Sequence, residues 1–272
     1  MDQGTITRHN LSPMQIPCAE LARMIDHSLL HPTMTDRELK AGCKLAARYR
    51  VASVCIKPYY VRQAAKLLAG TGVKIGAVVG FPHGSNTTEV KRCETEQACR
   101  DGASEIDMVI NIGKALSGDW AYVTRDIRAV VREAHRHGAL VKVIFENDYL
   151  PSDAVKRKLC QICTQARADF VKTSTGYGFV KRPDGSYSYQ GATEADLRLM
   201  RKHCPPKVQV KAAGGIRDLD ALLRVRELGV TRCGATATAA MLDECRQRAA
   251  AESGRSVQTP KRRAAKKAPA GY

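Results

Sequence analysis

Short runs rich in Val and Ile recur eight times along the chain, at 23–28, 51–57, 73–80, 104–110, 140–146, 169–174, 207–213 and 230–235. Most lack interior proline and read as strands. Helical spacing fills the gaps between them. Thr35 with Glu38 has capping-box spacing, and Leu39, Cys43 and Ala46 follow on one face. Asn86 with Glu89 marks another start, and Val155, Leu159, Ile162 and Ala166 form an apolar stripe. Thr193 with Asp196 precedes Leu197 and Met200. Asp218 precedes Leu222, Val225 and Leu228, and Gly229 stops that helix.

Strand-helix alternation predicts parallel strands joined by helical crossovers, an α/β fold. Eight units in about 230 residues fit a single-domain (β/α)8 TIM barrel. A doubly wound open sheet would carry a Gly-rich turn after its first strand, where this chain has DHSLLHPTMT. The expected division is an N-terminal extension over 1–20, the barrel over 21–250 and a basic tail over 251–272 that ends in Tyr272.

Composition narrows this picture. With 272 residues, 44% of them apolar, a single domain can bury about 75% of its unfolded surface. No apolar run approaches the ~20 residues that span a bilayer. The first 17 residues, with Asp2, Arg8, His9 and Pro13, do not read as an export signal. A cytoplasmic location with reduced thiols is the expectation for the ten cysteines. Cys160 and Cys163 form a lone C-x-x-C inside a helical pattern, which reads as core filling.

The net charge is +17. Part of it sits in KRRAAKKAP (261–269), which has no apolar face and reads as a mobile tail. The rest is spread over helices, as at Arg125, Arg128, Arg132 and Arg136. Such charge reads as a solvated basic surface, or as attraction for phosphorylated substrates or nucleic acid. No zinc-finger spacing or aromatic RNA-binding motif accompanies it, so nucleic acid is not the expected partner.

The candidate chemistry lies where strands end. Asp26, Cys55, Asp107, Glu146, Lys172 and Lys211 all fall at or near the carboxyl ends of expected strands, where barrels place their catalytic groups. A single strand-end lysine is usually salt-bridged, but two lysines and an acid desolvated together are hard to explain as packing. Phe170 shares a face with Lys172, and Gln209 with Lys211. If those faces look inward, each amine disfavours charge on the other, and one can act as a neutral nucleophile. AAGGIRD (212–218) and CGATAT (233–238) follow the seventh and eighth strands, the habitual phosphate site of this fold.

At these residues the chain resembles deoxyribose-phosphate aldolase, a class I aldolase family. The similarity runs through IDHSLL (25–30), SVCIKP (53–58), IGAVVGFPHG (75–84), GASEIDMVINIG (102–113), VKVIFE (141–146), DFVKTSTG (169–176), KAAGGIR (211–217) and RCGAT (232–236). The resemblance implies reversible cleavage of 2-deoxy-D-ribose 5-phosphate to acetaldehyde and D-glyceraldehyde 3-phosphate, without metal or other cofactor. It implies Lys172 as the Schiff-base lysine, Lys211 as the second lysine and Asp107 as the acid of a proton relay. It places Asp26, Cys55 and Thr175 along the substrate pocket and Gly214, Gly215, Arg217, Gly234 and Thr236 at the phosphate end. It allows Tyr272 a part in proton transfer and implies a homo-oligomer, a dimer or tetramer. Lys57, Asn147, Ala213, Tyr177 and Ala237 depart from common family residues. Two alternatives remain: a Schiff-base aldolase for another sugar phosphate, or a non-catalytic barrel that binds nucleic acid through its tail.

Overall fold

The structure is a computed structural model that describes residues 16–252. In chain order the strands are β1 (Ile25–Leu29), β2 (Ser53–Ile56), β3 (Lys74–Val79), β4 (Glu105–Val109), β5 (Leu140–Ile144), β6 (Phe170–Lys172), β7 (Val180–Lys181), β8 (Tyr187–Ser188), β9 (Gln209–Ala213) and β10 (Arg232–Ala235). All but β7 and β8 close into a parallel barrel in the order β1-β10-β9-β6-β5-β4-β3-β2. Every expected strand is present, with its ends displaced by a few residues.

The helices are α1 (Cys18–Ala22), α2 (Asp36–Tyr49), α3 (Val61–Leu68), α4 (Thr88–Arg100), α5 (Ile112–Leu116), α6 (Trp120–Arg136), α7 (Asp153–Ala166), α8 (Glu194–His203), α9 (Leu219–Glu227) and α10 (Thr238–Glu252). The expected N-terminal extension therefore holds the start of α1. The basic segment and Tyr272 lie outside the described residues.

Local signals explain where helices begin. Thr35 and Glu38 complete the expected capping box on α2. Thr193 caps α8 through the Asp196 N–H, and Asp218 caps α9 through the Ala221 N–H. The expected start at Asn86 moves by one residue, because Thr87 accepts from the Val90 N–H. Asn86 instead donates to Glu94 at 3.3 Å.

Strand alternation divides the barrel into two environments. Ile106 and Met108 of β4, Val141 and Val143 of β5, Val171 of β6, and Val210 and Ala212 of β9 face the helices in one apolar core. The residues between them, Glu105, Asp107, Lys142, Lys172 and Lys211, face inward and touch one another. A side-chain period of two thus sends the apolar residues outward to the helix layer and the charges to the axis.

Two features depart from expectation. The antiparallel pair β7–β8 is an excursion between β6 and α8. It reverses at Pro183-Asp184-Gly185, where Asp184 accepts from the Ser186 N–H at 2.9 Å and Gly185 takes φ +84°. Cys18 and Cys245 are joined in a disulfide, which corrects the expectation of reduced thiols for this pair. The cause is a contact between the first and last helices, with Cα atoms 5.9 Å apart across a separation of 227 residues. Cys160 and Cys163 are free and buried on α7, as core filling requires. No helix among the described residues is long and apolar enough to cross a membrane.

Candidate active site

The register between β6 and β9 sets Lys172 directly beside Lys211, and Phe170 beside Gln209. Both ammonium nitrogens lie 2.7 Å from the same oxygen, Oδ2 of Asp107. Lys211 also donates to Asp26 at 2.6 Å. The two amines and the acid expected to converge do so, and all three are buried.

The cluster is larger than those three groups. Lys142 of β5 reaches Glu105 at 2.5 Å, Asp107 Oδ1 at 2.8 Å and Asp26 at 3.3 Å. Arg232 of β10 reaches Asp26 at 2.6 Å and Glu105 at 2.8 Å, with its guanidinium 5.4 Å from the centre of the Phe170 ring. Glu105, Lys142 and Arg232 were missed in the sequence reading. Each is a charge inside an apolar run, and Glu105 stands two residues before Asp107 on the same face.

Counting charges explains which amine is free to react. Three carboxylates, Asp26, Glu105 and Asp107, face four cationic side chains, Lys142, Lys172, Lys211 and Arg232. Lys142, Lys211 and Arg232 each contact two or more of the carboxylates. Lys172 contacts Asp107 alone. Burial lowers its pKa, Asp107 opposes this, and the Lys211 charge adds to the lowering. Lys211 is buried too, but Asp107 and Asp26 outweigh that and raise its pKa. Burial works against ionisation of Asp107, yet Lys142, Lys172 and Lys211 hold its carboxyl well below the usual range. The cationic twin is therefore one contributor, and desolvation of a surplus cation is the larger one.

Other expected site residues divide in two groups. Asp26, expected along the substrate pocket, is fully enclosed, with Ser53 at 2.6 Å as a further donor. Its oxygens receive Lys211, Lys142 and Arg232, which joins it to the catalytic cluster through the lysine it shares with Asp107. Cys55 lies 3.7 Å from Asp107 Oδ2, and burial pushes its thiol up to about 11. It belongs to a small apolar group with Leu30, Val78, Phe81 and Tyr177. Thr175 donates both its backbone N–H and its hydroxyl to Glu146. Among the departing residues, Lys57 donates to the His31 carbonyl at 2.8 Å, and Asn147 Nδ2 faces Met200 Sδ at 3.6 Å.

At the far end of the mouth, Gly214 and Gly215 turn the chain at φ +91° and +85°. A Cβ at Gly214 would stand 1.9 Å from Tyr189 Oη, so only glycine fits there. Tyr189 Oη is buried and has no hydrogen-bond partner among the described residues. Arg217 and Thr236 are exposed, and Gly234 and Gly215 border the same loops. Tyr189 is a fourth residue missed in the sequence reading, because it arrives from the β8 excursion.

Glu146 gives a pH test. Its carboxyl is buried at φ +57°, and burial raises its pKa to about 7 against the pull of Thr175. The folded state then binds more protons than the unfolded state between the ordinary carboxylate range and pH 7. Its contribution to stability falls as pH rises through that window. Glu146→Gln should remove the effect, so the variant should gain on the wild type by about 3 kcal/mol between pH 4.5 and 8. Urea unfolding at both pH values reads it; a constant difference would refute the assignment. His27, lowered to about 4 by burial, contributes in the opposite sense in both proteins and cancels in the comparison.

Residues 21–245 match the family model described as DeoC/LacD family aldolase. The chain is 54% identical over 228 residues to the deoxyribose-phosphate aldolase of Rhodopirellula baltica, covering 84% of this chain and 90% of that protein. It is 46% identical over 224 residues to the enzyme of the same name from Clostridium perfringens, covering 82% and 95%. The tetrameric structure of deoxyribose phosphate aldolase from Aeropyrum pernix superposes with a TM-score of 0.75 at 29% identity, covering 85% and 92%. The chain belongs to the DeoC/LacD aldolase family.

Proposed function

We propose that this aldolase cleaves 2-deoxy-D-ribose 5-phosphate reversibly through an imine on Lys172. The observation that carries the reading is a buried lysine that is the surplus cation of a closed ionic cluster, bonded to the same carboxylate oxygen as a second lysine. Names of relatives that share about half the sequence support the substrate.

The neutral amine of Lys172 adds to the C1 aldehyde, and loss of water leaves an iminium. That cation accepts the electron pair of the C2–C3 bond as the C3 hydroxyl gives up its proton. Glyceraldehyde 3-phosphate departs, and an enamine remains. Protonation at C2 and hydrolysis return acetaldehyde and the free amine. Asp107 and Lys211, bonded to each other at 2.7 Å, move these protons through water. The small apolar group of Leu30, Val78 and Phe81 suits the two-carbon aldehyde. The Gly214-Gly215 turn, Gly234, Thr236, Arg217 and the unpartnered Tyr189 hydroxyl suit the phosphate. A homo-oligomer is part of the proposal, in keeping with the tetrameric relative.

Cleavage of 2-deoxyribose 5-phosphate should proceed at the same rate with and without EDTA. Loss of activity on chelation would replace the imine by a metal-assisted route. Inactivity on this substrate, with cleavage of a ketose phosphate instead, would overturn the choice of substrate.

A further inference from the structure

A cavity of about 500 Å³ lies far from the catalytic mouth, lined by Ala19, Arg23, Arg48, Tyr49, Arg50 and Arg246 among others. The topology places it. Helix α1 precedes β1, and α2 ends just before β2, so both present these residues at the amino ends of the strands. Helix α10 leaves the carboxyl end of β10 and runs back, which carries Arg246 to the same face.

Four arginines, all of them exposed, line the cavity, and no acidic residue does. Arg246 is partly neutralised by Asp243 at 3.3 Å. Tyr49 donates its hydroxyl to the same carboxylate at 2.9 Å. The guanidiniums of Arg246 and Arg48 lie 4.9 Å and 5.7 Å from the centre of the Tyr49 ring, which fixes their positions. Arg23, Arg48 and Arg50 have no carboxylate partner among the described residues. The carboxyl ends of α1 and α2 supply at most about one negative charge between them. The chain has little else to offer, since Asp2 is the sole Asp or Glu in residues 1–15 and 253–272.

We infer that this cavity binds a small anion bearing two or more phosphoryl groups, at a site separate from the substrate mouth. Guanidiniums present paired donors that match phosphoryl oxygens. Two phosphoryl groups bring roughly three negative charges, which balances the three unpaired arginines; one carboxylate would not. The volume lies within the ~300–1,000 Å³ typical of small-molecule sites.

Inorganic pyrophosphate is the probe, titrated calorimetrically into the full-length protein at low salt. Binding should weaken at least tenfold in an Arg23→Gln, Arg48→Gln, Arg50→Asn variant, with aldol cleavage in the absence of pyrophosphate unchanged. Asn is chosen at 50 because the residue sits at φ +52°. Ala19→Glu keeps every arginine, adds a carboxylate to the lining and should give the same loss, which covers failure of the triple variant to fold. Isotherms that superpose for wild type and Ala19→Glu, or an absence of binding to the wild type, would overturn the inference.

Discussion

Replacing Lys172 by arginine is expected to lower kcat for aldol cleavage on the order of 10⁶-fold, the scale seen when a covalent nucleophile is removed. Arginine preserves the positive charge facing Asp107 but does not deprotonate in a protein, so no imine can form. Borohydride added with substrate should leave a stable mass on the peptide that contains Lys172 in the wild type and none in the variant. Lys211→Arg is the informative companion. It should still be labelled at Lys172, because Lys211 carries the raised pKa of an ammonium shared by Asp107 and Asp26. A label at Lys211 in the wild type, or at neither lysine, would defeat the assignment.

The second large effect is expected at Asp107. Its two oxygens receive Lys142, Lys172 and Lys211 within 2.8 Å. Asp107→Asn keeps the shape and removes the charge, leaving these ammonium groups buried with less compensation. Breaking a buried ion pair from one side costs about 3–5 kcal/mol. That is a large share of the 5–15 kcal/mol that holds a typical fold together. Urea unfolding should show the loss as a lower midpoint. Activity should fall as well, since the bond linking Lys211 to the reacting amine passes through this residue. Because Lys142 contacts the same carboxylate, adding Lys142→Met to Asp107→Asn should recover part of the stability. A single variant within 1 kcal/mol of the wild type would mean that water already screens the cluster.

Much of the fold was readable because strand identity here rests on local composition. Val and Ile runs such as LVKVI in β5 predict a buried parallel strand regardless of what packs on it. The inward face of Lys172 and Lys211 followed from the same period of two. Lys142, Glu105 and Arg232 obey that period too, and applying it to every strand rather than to strand ends would have found them. Tyr189 and the disulfide were of another kind. Tyr189 is brought to Gly214 by a hairpin too short to show as a strand pattern, and Cys18 meets Cys245 only when the barrel closes. A sequence shows that Asp26 is an acid near a mouth but not which cations occupy its oxygens.

The Cys18–Cys245 bond turns the polypeptide into a ring that contains every stave of the barrel. A protease that cut the exposed tip of the β7–β8 excursion would open that ring without releasing either half, so the two pieces would stay tethered and could find each other again. Thiol reductants would convert the same nick into a true separation, making the oxidation state of the surroundings a determinant of how the molecule survives damage.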